Sequence, residues 1–130
     1  MRIDQSTLDM LHSGEKLKPK KNIQPRQKPG VMNGTEEKYA DILFQRKLVG
    51  EVLRYLFEKI KFKLAPSTFY TPDFFVVTPK HIEIHEVKGG YIRDDALVKF
   101  KVAAELFPEF CWQMWQFKNK KTGWKMIIEK

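Results

Sequence analysis

The chain has 130 residues, and its 42% hydrophobic and 13% aromatic content predicts one folded domain with its own core. The formal net charge of +8 favours a polyanionic partner, although a merely soluble basic protein would carry the same charge. Cys111 is the single cysteine, which excludes disulfides within the chain and cysteine-based zinc sites. Because no apolar run has membrane-spanning length and the first residues lack a signal-peptide core, we expect a cytoplasmic protein.

The first part of the chain differs in composition from the rest. Residues 15–30 mix basic side chains with prolines and contain too few apolar residues to order themselves. We therefore expect a mobile basic arm over residues 1–32 and a folded domain over residues 33–130. The arm could bind nucleic-acid phosphates, solubilise the protein or pack on a second subunit. Its candidate phosphate-binding residues are Lys16, Lys18, Lys20, Lys21, Arg26 and Lys28.

A helix over residues 35–49 is predicted by a capping-box sequence at its start and a glycine just after its end. Tyr39 and Leu43 lie on its inward stripe, and Glu36 lies on the same stripe. A carboxylate at the head of a core-facing stripe is unusual for packing. It suits a metal site, or it completes the capping box with Asn33.

Residues 51–65 predict either two strands or one long bent strand. Residues 52–57 are apolar except for Arg54, and the residues after them alternate between apolar and basic side chains, which is typical of a half-buried antiparallel strand. The basic positions of this alternation are Lys59, Lys61 and Lys63. Lysines of this kind protect a sheet edge against aggregation more often than they bind nucleic acid. Glu51 and Glu58 are interpreted as surface charges.

Two apolar segments joined by a turn at residues 78–80 form the centre of the predicted sheet. Residues 74–77 are apolar on both faces, as in a buried central strand. Residues 81–88 alternate, so that Glu86 and Lys88 share one face and His85, interpreted as structural, lies on the other. If the segments pair as a hairpin, Asp73 comes close to Glu86 and Lys88. Burying negatively charged carboxylates beside a core is unfavourable unless a partner offsets their charge. A hard divalent cation is suited to this.

After this hairpin the sequence predicts a helix and two more strands. The helix is capped by Asp94 or Asp95, ends at Pro108 and exposes Lys99 and Lys101 outside its buried stripe. Residues 110–117 form an aromatic-rich strand, and a polar turn leads to a last strand over residues 124–128.

Pro72-Asp73, a gap of 12 residues and Glu86-Val87-Lys88 resemble the signature of the PD-(D/E)XK nuclease superfamily. The surrounding residues 33–40, 70–74 and 85–89 are similar to small phage and prophage endonuclease-like proteins of that superfamily, which include relatives of Holliday-junction resolvases. The resemblance extends from Asn33 to the C-terminus. It implies an α/β fold, a restriction-endonuclease-like core in which helices flank a mixed β-sheet.

The resemblance also implies a Mg²⁺-dependent endodeoxyribonuclease, with Mn²⁺ able to substitute. Its metal would be held by Asp73, Glu86 and the Val87 carbonyl, with Glu36 binding directly or through water. Lys88 would orient the attacking water or stabilise charge on the phosphorane. The catalytic residues are then Glu36, Asp73, Glu86 and Lys88.

Three further properties follow from the same resemblance. Lys99 and Lys101 become candidates for contacting DNA phosphates. The protein is expected to act as a homodimer without a membrane partner. Its expected substrate is branched or junction DNA, in phage recombination, replication or packaging.

Two other functions are compatible with this sequence. One is a non-catalytic DNA-binding accessory protein on a nuclease-like fold, and the other is a nuclease that acts on RNA. Asp73, Glu86 and Lys88 speak against the first, because a pure binding protein gains nothing from carboxylates directed at phosphate.

Overall fold

Two helices and seven strands follow one another along residues 29–130, the part of the chain that this computed structural model describes. In chain order they are α1 (Gly34–Leu48), β1 (Arg54–Phe57), β2 (Phe62–Ala65), β3 (Thr68–Tyr70), β4 (Phe74–Val77), β5 (Ile82–Lys88), α2 (Asp94–Leu106), β6 (Cys111–Asn119) and β7 (Gly123–Glu129). The six candidate residues of the basic arm, from Lys16 to Lys28, lie outside the described residues, so their role stays a prediction.

Five strands form one mixed sheet in the order β1-β4-β5-β6-β7. The pairs β1–β4, β4–β5 and β6–β7 are antiparallel, whereas β5 and β6 are parallel. Parallel neighbours need a long crossover, which α2 provides between β5 and β6. The predicted α/β fold with a mixed sheet and two helices is confirmed.

Both faces of the sheet are covered, and β5 shows this most clearly. Ile84 packs in one cluster with Phe100 of α2, and Val87 packs in a second cluster with Tyr39 and Leu43 of α1. Alternate residues of a strand point to opposite faces, so β5 is sandwiched between α1 and α2. This explains why every residue from 83 to 87 is buried.

The segment that the sequence left open, residues 51–65, contains two strands in different sheets. β1 is an edge strand of the main sheet, whereas β2 pairs with β3 in a separate two-stranded sheet. The chain departs from the main sheet at Glu58, whose φ of 49° lies in the left-handed region that a regular strand cannot accommodate. Phe62 of β2 packs on Trp112, and the lysine face is exposed as predicted.

The start of α2 differs from the prediction. Arg93 occupies the N-cap position without a side-chain cap hydrogen bond, and Asp94 and Asp95 lie inside the first turn. Capping by either aspartate is therefore wrong, although their charges still favour the positive end of the helix dipole. Neither α1 nor α2, the helices of the described residues, is long and apolar enough to span a membrane.

Candidate metal centre

Three carboxylates lie where β1, β4 and β5 meet one margin of the main sheet. Phe57 at the end of β1 pairs with Phe74 at the start of β4, and the next residues outward are Glu58 and Asp73. Phe74 also pairs with the residue that precedes Glu86 on β5. Beyond the paired residues, the Glu58 N–H donates to the Asp73 carbonyl at 2.9 Å. The strand register therefore brings the three acidic residues together.

The first turn of α1 adds a fourth carboxylate, from Glu36. Carboxylate oxygens of Glu36, Glu58 and Asp73 lie within 4.8 Å of one another, and no other trio of metal-ligating groups is as close within residues 29–130. Glu36 also completes the capping box, because its Oε1 and Oε2 accept from the Asn33 side chain at 3.0 Å and backbone at 3.2 Å. The two interpretations of Glu36 are thus compatible.

Asp73 is the most constrained of these acids. Its side chain is buried, and its Oδ2 accepts a hydrogen bond from the Val87 N–H at 2.8 Å. Burial, reinforced by the neighbouring Glu86 charge, raises the pKa of Asp73 well above its usual range. Val87 thus contributes its N–H to the site, while ligation by its carbonyl stays a prediction.

Glu86 lies between a neutral donor and a cation. The Tyr70 hydroxyl donates to Glu86 Oε2, and the Lys88 Nζ lies 3.5 Å from Glu86 Oε1. Burial and the Glu86 charge raise the pKa of Tyr70 well above its ordinary value, so this hydroxyl keeps its proton. Lys88 lies two residues further on the same strand face, and 28% of its side chain is exposed.

We name Glu36, Glu58, Asp73 and Glu86 the carboxylate cluster. Burial raises the pKa of Glu36, and the charges of Glu58 and Glu86 raise it further. These acids repel one another, and a cation bound among them would relieve this repulsion. Their oxygen donors suit a hard divalent ion, so the residues present fit Mg²⁺ or Mn²⁺.

Of the four predicted catalytic residues, Glu36 and Asp73 belong to the close trio with Glu58. Glu86 lies outside that trio but next to Asp73, and Lys88 contacts Glu86. Glu58, which the sequence suggested was a surface charge, is half-buried, with its carboxylate near those of Glu36 and Asp73 and its Oε2 accepting from the Gly30 N–H at 2.8 Å. The available signal was an acid directly after an apolar strand, as Asp73 stands directly before one. Glu51 does lie on the surface, paired with Arg46 at 3.1 Å.

The predicted phosphate-binding lysines of α2 lie outside this cluster. Lys99 and Lys101 are exposed, and neither joins the hydrogen bonds or ion pairs of the cluster acids. Their contact with DNA stays a prediction.

His85 lies in a buried hydrogen-bond chain on the other face of the sheet. Its Nδ1 is 2.6 Å from the Tyr39 hydroxyl and its Nε2 is 2.8 Å from Glu83, whose second oxygen is 2.6 Å from His81. Burial lowers the pKa of His85, while the hydrogen bond from His85 lowers the pKa of Glu83 to about 2. A neutral His85 therefore accepts from Tyr39 and donates to Glu83. These satisfied contacts agree with its structural interpretation.

No family model, curated protein or solved structure matches this chain. Its function is therefore inferred from the carboxylate cluster and the residues around it.

Proposed function

We propose that this protein is a metal-dependent endonuclease that hydrolyses DNA phosphodiester bonds on a PD-(D/E)XK-type core. The observation that carries the proposal is the meeting of Asp73 with Glu86 and Lys88, which follow it by 13 and 15 residues, at one margin of the sheet. A mixed sheet flanked by two helices, with three of its strands before α2 and two after it, supports this proposal. Glu36 and Glu58 extend the acidic set.

In this proposal Asp73 and Glu86 hold the cation, with the Val87 carbonyl as a further oxygen donor and Glu36 and Glu58 beside them. When bound, Mg²⁺ would make a water molecule more acidic and offset the negative charge of the phosphate. The Val87 N–H fixes the orientation of Asp73 through its 2.8 Å hydrogen bond.

Lys88 has a different role from the carboxylates, because it offers positive charge to the reacting phosphate. Its side chain is partly exposed and contacts Glu86, so its ammonium can face both the cluster and a bound strand. Lys88 would orient the attacking water or stabilise the charge that develops on the phosphorane.

DNA is the proposed substrate because the net charge of +8 favours a polyanion and the candidate site fits phosphodiester hydrolysis. Selectivity for branched or junction DNA, a homodimeric state and action in the cytoplasm of a phage-infected host are proposed from the superfamily resemblance. Phage recombination, replication or packaging would supply such branched substrates.

The deciding experiment incubates the purified protein with labelled linear, flap and four-way DNA, and with RNA, in Mg²⁺, Mn²⁺ or EDTA. We expect cleavage of DNA in either metal and none in EDTA. Binding of every substrate without cleavage would favour the accessory-protein function, and cleavage of RNA alone would favour the ribonuclease.

Variants then test the residues. Asp73→Ala and Glu86→Ala should abolish cleavage while DNA binding persists, because each removes a metal ligand and leaves the basic surface intact. Glu51→Gln removes an acid outside the cluster and should cleave at the wild-type rate. Substantial metal-dependent activity in either cluster variant would contradict the assignment.

A further inference from the structure

The two-stranded sheet β2–β3 stands apart from the main sheet, yet one of its side chains contacts the carboxylate cluster. β3 has three residues, of which Thr68 and Phe69 are exposed and Tyr70 is buried. The Tyr70 ring lies 6.4 Å from that of Trp112, and its hydroxyl donates to Glu86 Oε2. Tyr70 thus connects this small sheet to a candidate metal ligand.

The hydrogen bond from Tyr70 gives the two Glu86 oxygens different surroundings. Oε2 accepts the Tyr70 hydroxyl, whereas Oε1 faces the Lys88 ammonium at 3.5 Å. A carboxylate with one oxygen held in this way cannot rotate freely about its last bond. Its other oxygen is therefore kept in a fixed direction.

Packing in the core does not explain why residue 70 is a tyrosine with a buried hydroxyl. The ring lies in an apolar cluster with Phe62 and Trp112, where phenylalanine would bury the same carbon surface. Burying a hydroxyl is unfavourable unless it is hydrogen-bonded, and the partner here is Glu86. The hydroxyl therefore acts on the carboxylate and not on the core.

We propose that Tyr70 is a positioning residue that orients Glu86 for cation binding, and that the β2–β3 sheet serves to present it. This inference rests on the proposed metal-dependent function. Without the hydroxyl, a buried Glu86 oxygen loses its donor and the carboxylate can turn away from the cation. Such outer hydrogen bonds to metal ligands typically contribute about 10-fold to 100-fold in metal affinity.

The test measures Mn²⁺ binding to Tyr70→Phe directly by calorimetry, in the absence of any substrate. We expect the Mn²⁺ dissociation constant to rise about 10-fold or more. The Mg²⁺ concentration that gives half-maximal DNA cleavage should rise in parallel. Tyr39→Phe is the matched control, because it also removes a buried tyrosine hydroxyl, one bonded to His85 on the opposite face of the sheet. Its Mn²⁺ affinity should equal that of the wild type.

The outcomes separate this inference from the proposed function. A wild-type protein that does not bind Mn²⁺ would overturn the function itself, whereas equal affinity in wild type and Tyr70→Phe would overturn only the role of Tyr70. Adding Tyr70→Phe to Glu86→Gln should cause little further loss, because the carboxylate that the hydroxyl orients is already gone.

A measurement on unmutated protein covers the case in which Tyr70→Phe does not fold. With ¹³C at the tyrosine Cζ, saturating Mg²⁺ should shift the Tyr70 signal and leave the Tyr39 signal in place. A Tyr70 signal that stays unchanged while Mg²⁺ binds would overturn the inference.

Discussion

At the scale of single residues, Lys88 and Glu86 are neighbours for which we propose different roles. Glu86 is buried, whereas 28% of the Lys88 side chain is exposed. In the proposed function Glu86 binds the cation and Lys88 faces the phosphate. Lys88→Ala should therefore keep metal binding while turnover falls by roughly two to four orders of magnitude. Calorimetry with Mn²⁺ and single-turnover cleavage measure the two effects, and loss of Mn²⁺ binding would contradict this role.

Glu58 combines a strained backbone with a place in the cluster. Its φ of 49° is unfavourable for any residue with a side chain, and its carboxylate repels the neighbouring acids. Strained residues of this kind concentrate at functional sites. The strain at Glu58 therefore supports a functional role for its carboxylate.

Glu58→Gly separates these two properties. The free energy of unfolding without metal should stay equal or rise by up to about 1 kcal/mol, while Mn²⁺ affinity falls roughly 10-fold or more. Ser67→Gly is the matched control, because Ser67 has a φ of 57° and lies in the β2–β3 turn. It should relieve the same strain with unchanged Mn²⁺ affinity. Unchanged Mn²⁺ affinity in Glu58→Gly would remove Glu58 from the site.

Glu83 makes the stability of the fold depend on pH. The hydrogen bond from His85 lowers the pKa of Glu83 from 4.5 to about 2, so between these values only the unfolded chain takes up a proton. The stabilisation from Glu83 is complete above pH 4.5 and is lost as the pH falls towards 2. Burial also lowers the pKa of His85. The unfolded chain therefore takes up a proton at His85 more readily than the fold does, and the free energy of unfolding falls further as the pH drops below 6.5.

Glu83→Gln should lower the free energy of unfolding by about 1–3 kcal/mol at pH 7, because the buried His85 loses its charged acceptor. This difference from wild type should shrink between pH 4.5 and pH 3. Urea unfolding of both proteins at pH 7, 4.5 and 3 measures it. A difference that is the same at all three values would show that the Glu83 charge contributes nothing.

At the scale of elements, the site depends on how closely α1 approaches the end of β5. Gly89 follows β5, and a Cβ placed there would lie 2.6 Å from Thr35 Oγ1 and 3.2 Å from Thr35 Cγ2. The short Thr35 side chain cannot rotate away from such a Cβ without an energetic cost. The absence of a side chain at Gly89 therefore lets the first turn of α1, which carries Glu36, approach the end of β5 closely.

Gly89→Ala should lower the free energy of unfolding by about 1–3 kcal/mol through overpacking, and it should weaken Mn²⁺ binding by displacing Glu36. Adding Thr35→Ala removes the contacting atoms, so the double variant should recover most of both losses. Gly90→Ala is the control, since its Cβ would meet nothing within 4 Å. Losses that simply add in the double variant would contradict the close approach.

Local signals were visible in the sequence, and distant pairings were not. Two predictions depended only on residues a few positions apart, and both agree with the structure. They are the capping box at Asn33 and the placement of Glu86 and Lys88 on one strand face. The position of Glu58 beside Asp73 depends on the register between β1 and β4, which no local pattern encodes. The contact of Tyr70 with Glu86 likewise requires the separate β2–β3 sheet.

At the scale of the whole molecule, the basic arm joins the folded domain at the candidate metal centre. The Gly30 N–H donates to Glu58 Oε2 at 2.8 Å, and Lys28 precedes Gly30 by only two residues. This contact of Gly30 with Glu58 supports the proposal that the basic arm contributes to DNA binding.

Deleting residues 1–28 should weaken DNA binding across sequences, because the six basic residues from Lys16 to Lys28 are lost. The slope of log affinity against log salt should flatten by up to about 5, at about 0.9 for each lost phosphate contact. Single-turnover cleavage at saturating protein should stay near the wild-type rate, since the carboxylate cluster and Lys88 are intact. A full-length variant with glutamine at the six positions controls for chain length and should reproduce the flatter slope. If sedimentation instead shows a dimer becoming a monomer on deletion, with an unchanged salt slope, the arm serves the subunit interface and not the phosphates.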